Sequence, residues 1–482
     1  MSEKSTTLGW LRGLVTPRRA EPTSAAPGSP ERAALGRREF GRLYTRGLRG
    51  DAAAQRDLGR AYMRGEGVPP SPVEAARWLR LAAKAGDGEA KLLLASLHLQ
   101  GLADAGEGDL FGGKPGTPDP AQAAALARDA AEAGNADAMA LLAFLAANGQ
   151  GMPKDMALAA HWYARAAEAG LARAKLGLGL IRLTGGDGIT DKPLACELIA
   201  EAAEADIPTA LYMLGTLHEA GVAPLPFDEA RAAALYRRAA EAGVRPACAR
   251  LGLALLEGWG VARNPIEAET WLRRAAIAGD SEAAALVGDL HSNNADGMPN
   301  HVEAFGWYRL AAEHGHRQAM RSIGLMYMGG LGAPRDPEEA MRWLGAAMEA
   351  GDTQAAADLG AMIQRMGAGS AEAARVADVF EKAAHGGDPV AAFNYAVCLK
   401  GGLGRPQDAA QASEWMRQAG ENGVVNALYW HGRMLIEAGD ESGRLWIERA
   451  ADEGMAEAAA ELGRPAPLEP ASAGSPAADA PG

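Results

Sequence analysis

Four of the nine histidines crowd into one short stretch of the chain, where clustered imidazole and carboxylate groups could bind a metal ion. The stretch contains His291, His301, His314 and His316, together with Asp289 and Asp296. His314 and His316 flank a turn, so both rings could point the same way. The alternative, which we favour, is that these are exposed histidines at the ends of helical hairpins. We therefore predict no metal site, although the sequence leaves open whether this cluster binds anything.

The motifs of common enzyme classes are missing from the sequence. A phosphate-binding loop needs the motif Gly-x-x-x-x-Gly-Lys followed by Ser or Thr. The nearest candidate, Gly112-Gly113-Lys114, is followed by Pro115 and does not fit it. No Ser is followed three residues later by Lys, as acyl transfer by penicillin-binding proteins requires, and no His-Glu-x-x-His zinc helix occurs. We therefore predict no catalytic residue, no cofactor and no enzymatic activity.

Charge and cysteine usage exclude further classes of protein. The net charge of −13 arises from 61 acidic and 48 basic residues spread along the chain, so nucleic acid is not an expected partner. The chain has three cysteines, Cys196, Cys248 and Cys398. Their odd number and wide separation argue against a disulfide framework and favour a reducing compartment. No apolar run is long enough for a signal peptide or a membrane span. The predicted location is the cytoplasm.

A repeated unit explains most of the sequence. A closing glycine recurs, mostly every 36 residues, at Gly86, Gly134, Gly170, Gly243, Gly279, Gly315, Gly351, Gly387, Gly423 and Gly454, with Asp206 in the place of one more. Four residues earlier each unit has Ala, and eight residues earlier most have Trp, at Trp78, Trp162, Trp271, Trp307, Trp343, Trp415 and Trp446. A period of this length is typical of helical repeat proteins.

The spacing within one unit predicts two helices. The Ala and Trp positions form one stripe on a helix, on which the small residues let a neighbour approach and the large ring fills the gap. We expect replacement of one such Trp by Ala to cost about 3–5 kcal/mol. A preceding helix carries a central glycine, such as Gly59, which lowers helix stability by about 1 kcal/mol and is useful only where another helix packs closely. The predicted fold is all-α, an α/α superhelical solenoid of about eleven 36-residue helix-turn-helix repeats.

The consensus resembles the Sel-like repeat (SLR) family, a relative of the tetratricopeptide repeat proteins. Its pattern is Ala-x-x-x-Leu-Gly-x-x-Tyr-x-x-Gly-x-Gly-Val, followed by Ala-x-x-Trp-x-x-x-Ala-Ala-x-x-Gly, and residues 57–86 match it almost throughout. The resemblance covers about residues 51–463. It implies an adaptor or scaffold role. Some cysteine-rich relatives carry a penicillin-binding or β-lactamase label, but they have paired cysteines in every repeat and this chain does not.

The segments outside the consensus define the predicted domain organisation. Residues 1–32 are predicted to be a disordered leader, 33–50 a capping helix, 51–463 the solenoid with an insertion loop at 101–120, and 464–482 a disordered tail. The turn at Met366-Gly367-Ala368-Gly369 departs from the consensus, as units near the end of an array often do. Whether the leader touches a membrane stays open.

Candidate partner-binding residues follow from the resemblance, because in tetratricopeptide geometry the first helix of each pair lines the concave face. Carried over to this chain, those positions include Gln55, Arg60, Met63, Tyr212, Arg321, Leu325, Phe393, Tyr429 and Arg433. We add Leu110 and Phe111 to these candidates, because the two apolar side chains lie in a glycine-rich insertion and have no evident hydrophobic core to pack into. Exposed aromatics and arginines are common in interfaces, but some of these side chains could instead pack between repeats.

The predicted function is a non-enzymatic scaffold or adaptor, of bacterial type, that binds a peptide or protein on the concave face of the solenoid. One alternative is an enzyme or enzyme subunit acting on cell-wall material, which a concave pocket with two carboxylates, or a His beside a nucleophile, would favour. A second alternative is a regulator of envelope or exopolysaccharide signalling. The partner and the oligomeric state are not determined by the sequence.

Overall fold

The computed structural model describes residues 37–103, 116–293, 298–365 and 369–464. These residues form 24 helices and no strand. The helices are α1 Arg37–Leu48, α2 Ala52–Arg64, α3 Pro72–Lys84, α4 Gly88–Leu99, α5 Pro120–Glu132, α6 Ala136–Asn148, α7 Met156–Glu168, α8 Ala172–Thr184, α9 Lys192–Glu204, α10 Pro208–Ala220, α11 Glu229–Glu241, α12 Arg245–Glu257, α13 Pro265–Ile277, α14 Ser281–Ser292, α15 His301–Glu313, α16 Arg317–Gly329, α17 Pro337–Glu349, α18 Thr353–Arg365, α19 Ala371–His385, α20 Pro389–Gly401, α21 Ala409–Glu421, α22 Val425–Glu437, α23 Gly443–Asp452 and α24 Ala456–Glu461.

After α1, even-numbered helices are the first and odd-numbered helices the second of each repeat, so the predicted all-α helical-repeat fold is confirmed. The chain divides between Arg263 and Asn264 into two compact units, the first containing α1–α12 and the second α13–α24. Within each unit every helix packs against the next one along the chain. No helix among the described residues is long and apolar enough to cross a membrane.

Local residue chemistry fixes where the helices begin and end. The Asp155 carboxylate accepts a hydrogen bond from the Leu158 N–H at 2.9 Å at the start of α7, and most other second helices begin in the same way. Gly65 ends the first helix α2 in the left-handed conformation, with φ of 72°. The closing position Gly86 also has positive φ, and Asp206, with φ of 56°, is the only non-glycine described residue that does. The closing glycine is therefore a conformational requirement.

The centre of the core lies one residue beyond the predicted tryptophan position. Trp78, Trp162 and Trp271 are buried as predicted, whereas the other four repeat tryptophans are only half-buried. The residue that follows this position is buried in each described repeat of normal length: Leu79, Tyr163, Ile199, Tyr236, Leu272, Tyr308, Leu344, Phe380 and Met416. The tryptophan therefore covers the edge of the core, because the side chain beside it already occupies the centre.

That central side chain packs directly against the glycine of the first helix. A Cβ atom added at Gly324 in α16 would lie 2.6 Å from the Leu344 Cγ in α17, and one added at Gly59 in α2 would lie 2.5 Å from the Leu79 Cγ in α3. Real Cβ atoms do not approach so closely. The expectation that a helix packs against these glycines is thus met within the same hairpin.

Candidate partner-binding surface

Two of the predicted binding residues are buried and join helices to one another. Gln55 donates a hydrogen bond from Nε2 to the Gly47 carbonyl oxygen at 2.9 Å, which ties α2 to α1. Tyr429 is only 8% exposed, and its hydroxyl donates to the Glu461 carboxylate of α24 at 2.7 Å. Neither side chain offers a free surface to a partner.

The three predicted arginines form ion pairs with the next first helix. Arg60 in α2 pairs with Glu89 in α4. The Arg321 Nε lies 2.5 Å from the Asp358 carboxylate of α18, and Arg433 lies 3.8 Å from the Glu461 carboxylate. These arginines therefore connect neighbouring repeats.

The local environments shift the pKa values of these arginines in different directions. Partial burial lowers the pKa of the Arg60 guanidinium, and the nearby Arg56 adds to this effect. The hydrogen bond to Asp358 raises the pKa of Arg321. The hydrogen bond from Arg433 to the Tyr429 hydroxyl, at 3.4 Å, likewise raises the arginine's pKa.

The same linkage occurs between other first helices of the first unit. Asp137 in α6 pairs with Arg173 in α8, and Glu219 in α10 pairs with Arg250 in α12. The Tyr236 hydroxyl also donates a hydrogen bond to Glu219. Burial alone would raise the pKa of Glu219, but the hydrogen bonds from Arg250 and Tyr236 outweigh it and hold the pKa below its ordinary value. This face is thus largely neutralised by its own ion pairs.

The remaining predicted residues divide between packing and exposure. Met63 packs against the core of the first hairpin, and the Tyr212 ring centroid lies 5.8 Å from that of Tyr236. Leu325 in α16 is 37% exposed. Phe393 in α20 is half-buried and packs against the core of the second unit. Leu110 and Phe111 lie outside the described residues.

The most exposed aromatic side chain on the first helices is one that the sequence analysis missed. Trp430 in α22 is 38% exposed, and the Lys400 Nζ of α20 lies 4.9 Å from its ring centroid. Phe393, Val397 and Lys400 share one face of α20 by their spacing of four and three residues. We call Phe393, Val397 and Trp430, edged by Lys400 and Arg433, the C-terminal apolar surface.

The missed residue lies one position beyond a predicted one. The carried-over register selects Tyr429, whose side chain turns toward α24, while the next residue, Trp430, lies at the surface. The same register position is occupied by Asp358 in α18 and by Arg250 in α12, both of which form inter-repeat ion pairs. Other first helices have an apolar residue at this position, such as Met213 in α10 and Leu286 in α14, so residue type alone gives no consistent signal and the structure is needed to identify Trp430.

The predicted histidine cluster does not converge on one point. The His291 Nε2 lies 3.1 Å from the Glu269 carboxylate, and the His314 Nδ1 lies 2.8 Å from the Leu310 carbonyl oxygen. His316 caps the start of α16. Within the described ranges, no three His, Cys, Asp or Glu side chains are arranged to hold a metal ion.

A cavity of about 520 Å³ between α3, α4 and α5 provides a test of the cell-wall enzyme alternative. Its two carboxylates already have structural roles: Asp119 caps α5, and Asp129 lies 3.3 Å from the Lys91 ammonium. His98 also lines the cavity. Among the described residues, no Ser, Thr or Cys lines this cavity to serve as a hydroxyl or thiol nucleophile beside the histidine.

Comparison with known proteins identifies the repeat. Ten segments match the family model described as Sel1 repeat: residues 52–87, 89–135, 136–171, 172–207, 208–244, 245–280, 281–316, 317–352, 389–424 and 427–455. The chain belongs to the Sel1 repeat family. The Sel1 model leaves out residues 353–388, which form α18 and α19 and include the turn that departs from the consensus. The comparison with curated proteins gave no match.

One solved structure supports the Sel1 fold over most of the chain, and a second is similar in sequence. The protective antigen c5321 of uropathogenic Escherichia coli, described as displaying an SLR fold, is 28% identical, covers 88% of this chain and 89% of its own, and has a TM-score of 0.61. A Sel1 repeat protein from Oxalobacter formigenes is 26% identical, with 67% of this chain and 90% of that chain covered and a TM-score of 0.48. The resemblance predicted from the consensus is therefore confirmed.

Proposed function

We propose that this Sel1 repeat chain is a non-catalytic scaffold that binds a peptide or protein partner on its first helices, chiefly at the C-terminal apolar surface. The observation that carries the proposal is the exposure of Trp430, whose ring contacts Lys400 of α20, the helix that also carries the half-buried Phe393 and Val397. Tryptophan is among the residues most enriched at the energetic centres of interfaces. Because the charges elsewhere on this face are already paired, the binding energy comes mainly from apolar contact.

The residue types on this surface indicate which kind of segment it would bind. Its apolar centre favours a segment with Leu, Pro or aromatic side chains, because such groups are covered by contact with Trp430 and Phe393. Lys400 and Arg433 at its edge are already paired with Glu437, and Arg433 also with Glu461, so we expect apolar contact and not charge to select the partner segment. Within the second unit, Arg321 and Leu325 extend the proposed binding face along the first helices. In the first unit, the candidate positions on the first helices are Arg60, Met63 and Tyr212.

We place this scaffold in the cytoplasm of a bacterium. Cys196 and Cys398 are buried and form no disulfide with a described residue, which supports a reducing compartment. Burial raises the pKa of Cys398 to about 12, so this thiol stays protonated at neutral pH. The similar antigen from Escherichia coli supports a bacterial origin.

Selection from a peptide display library against the full chain tests the proposal, with affinity measured by calorimetry for each selected peptide. Replacing Trp430 by Ala should weaken binding at least tenfold, since a central interface tryptophan contributes roughly 2 kcal/mol or more. Trp430 is preferable to Tyr429 as a target because Tyr429 is buried and bonded to Glu461.

Trp307→Ala is the matched control, because Trp307 is half-buried on the second helix α15, away from the first helices. This variant should retain full affinity, and circular dichroism should show that both variants keep their helix content. Equal affinity of the Trp430→Ala variant and the unmodified chain would refute the proposed surface, as would failure to select any peptide.

A further inference from the structure

The first and the last described helix each form half of a repeat. α1 has the features of a second helix: Gly50, with φ of 87°, lies 36 residues before the closing Gly86, and no described first helix precedes it. α24 has the features of a first helix: Ala458, Leu462 and Gly463, in or directly after it, match the Ala-x-x-x-Leu-Gly of the consensus, and no described second helix follows. A first helix of one copy and a second helix of another would together make one complete hairpin.

Core side chains are only partly covered at both of these ends. Leu43 in α1 lies seven residues before Gly50, at the central position of a second helix, where Leu79 is fully buried; Leu43 itself is only half-buried. Leu462 corresponds in the same way to the fully buried Leu58 of α2, and it too is only half-buried. Each end therefore leaves apolar surface of the kind that a neighbouring repeat covers elsewhere in the array.

The contacts between neighbouring second helices inside the chain show which positions face each other. A guanidinium nitrogen of Arg273 in α13 lies 3.7 Å from the Glu303 carboxylate in α15, and the Arg273 side chain also lies over the Trp307 ring, 5.3 Å from its centroid. Arg273 is six residues before its closing glycine, whereas Glu303 and Trp307 are twelve and eight residues before theirs. Arg375 in α19, again twelve before its closing glycine, pairs with Glu338 in α17. The twelfth and eighth positions therefore face the preceding second helix.

α1 and α23 carry opposite charges at these positions. Twelve and eight residues before Gly50 stand Arg38 and Arg42, both exposed, and six residues before the closing Gly454 of α23 stands the half-buried Glu448. None of these three charged side chains forms an ion pair with a described residue. If α1 of one copy followed α23 and α24 of another in the register found inside the chain, the Glu448 carboxylate would lie beside both guanidinium groups.

We propose that copies of this chain associate head to tail, with α23 and α24 of one copy stacked on α1 of the next and Glu448 paired with Arg38 and Arg42. A polar end by itself serves the solubility of a repeat array, but solubility does not require opposite charges at two positions that would meet. The contact joins two different surfaces, so it extends into a row of copies instead of closing as a symmetric dimer. The proposal does not depend on the proposed peptide-binding function.

Sedimentation velocity measurements on the full chain test the association. In low salt the weight-average sedimentation coefficient should rise as the concentration is raised about a hundredfold into the hundreds of micromolar. Salt of about 0.5 M should reverse the rise, because it screens exposed charges. The variant Arg38→Glu with Arg42→Glu and the variant Glu448→Arg should each weaken association at least about tenfold, because like charges then meet.

An equal mixture of these two variants should associate again, because the intact Glu448 end of the first meets the intact Arg38 and Arg42 end of the second. The control variant is Arg128→Glu with Arg231→Glu, at exposed positions of α5 and α11. It changes the net charge by as much as the double substitution in α1 and should leave association unchanged. Circular dichroism should show the same helix content in all variants.

Three outcomes would overturn head-to-tail association. The first is an unmodified chain that sediments as a single copy at every concentration in low salt. The second is self-association of either end variant as strong as that of the unmodified chain, since each variant has only one intact end. The third is a mixture of the two end variants that associates no more than either alone, which would show that the two ends do not bind each other.

Discussion

At the scale of single residues, the closing position of each hairpin is set by backbone conformation. Glycine serves there because a left-handed conformation strains residues with a Cβ atom. Asp206 adopts φ of 56° at this position, and its carboxylate lies 2.6 Å from the Arg238 guanidinium. Both side chains of this pair are more than half exposed, so the ion pair adds little stability. The effect of a substitution at residue 206 on the free energy of unfolding should therefore depend mainly on how well the new residue tolerates the left-handed backbone conformation.

We expect Asp206→Gly to be more stable than Asp206→Ala by about 1–2 kcal/mol, because only alanine pays the cost of a left-handed Cβ. Urea unfolding followed by circular dichroism measures the difference. Asp206→Asn is the control for the lost charge, since asparagine tolerates this conformation, and it should stay within about 0.5 kcal/mol of the unmodified chain. An alanine variant as stable as the glycine variant would contradict the conformational explanation.

At the scale of helices, glycines in similar sequence positions have opposite roles. Gly324 in α16 is in tight contact with the fully buried Leu344, whereas Gly306 in the neighbouring α15 has no atom within 4 Å of an added Cβ. The first glycine permits close packing of two helices. The second only weakens its own helix, since glycine lowers helix stability by about 1 kcal/mol relative to alanine.

Substitution by alanine should therefore change stability in opposite directions at these two positions. Gly324→Ala should destabilise the second unit by about 1–3 kcal/mol, because the added Cβ would lie 2.6 Å from the Cγ of the fully buried Leu344. Gly306→Ala should stabilise it by about 1 kcal/mol. Thermal unfolding of the two variants checks both signs, and a shift in the same direction for both would show that packing does not distinguish the two glycines.

The sequence predicts the helices better than it predicts their contacts. The 36-residue period, the closing glycines and the central glycine of the first helix all follow from backbone requirements, which residue type reveals directly. The tryptophan position and the one after it lie about 100° apart on the same helix, so both suit an apolar stripe. The structure decides between them: Leu344 packs against Gly324 of the first helix and occupies the centre of the core, whereas Trp343 lies at its edge.

The candidate surface is harder to predict for the same reason. Tyr429 and Trp430 are adjacent aromatic residues, and only the partner of each side chain separates them: Glu461 accepts a hydrogen bond from Tyr429, while Lys400 lies over the exposed Trp430 ring. Glu461 lies in α24, beyond the last segment that matches the Sel1 model, so the repeat pattern does not predict this contact. Contacts between repeats depend on neighbours that a single repeat does not encode.

At the scale of the whole molecule, carboxylates join neighbouring first helices in both units, as Glu219 does for α10 and α12. The hydrogen bonds from Arg250 and Tyr236 overcome the opposing effect of burial and lower the pKa of Glu219 in the folded chain. A carboxyl group whose pKa is lower in the folded than in the unfolded state stabilises the fold above its unfolded pKa, and the stabilisation is lost as the pH falls through the folded value. Acid should therefore loosen the linkage between repeats.

Glu219→Gln should cost about 1 kcal/mol of the free energy of unfolding at pH 7, because a charged acceptor for Arg250 becomes a neutral one. The difference from the unmodified chain should shrink as the pH falls below about 4.5 and through the lowered pKa of the folded carboxyl, because the native Glu219 is then itself protonated. Urea unfolding across this pH range measures it. The exposed Glu257 at the end of α12 supplies the control, because it forms no ion pair with any described residue, so Glu257→Gln should leave the pH profile unchanged. A Glu219→Gln penalty that stays constant down to pH 2 would mean that shape, and not charge, makes this contact.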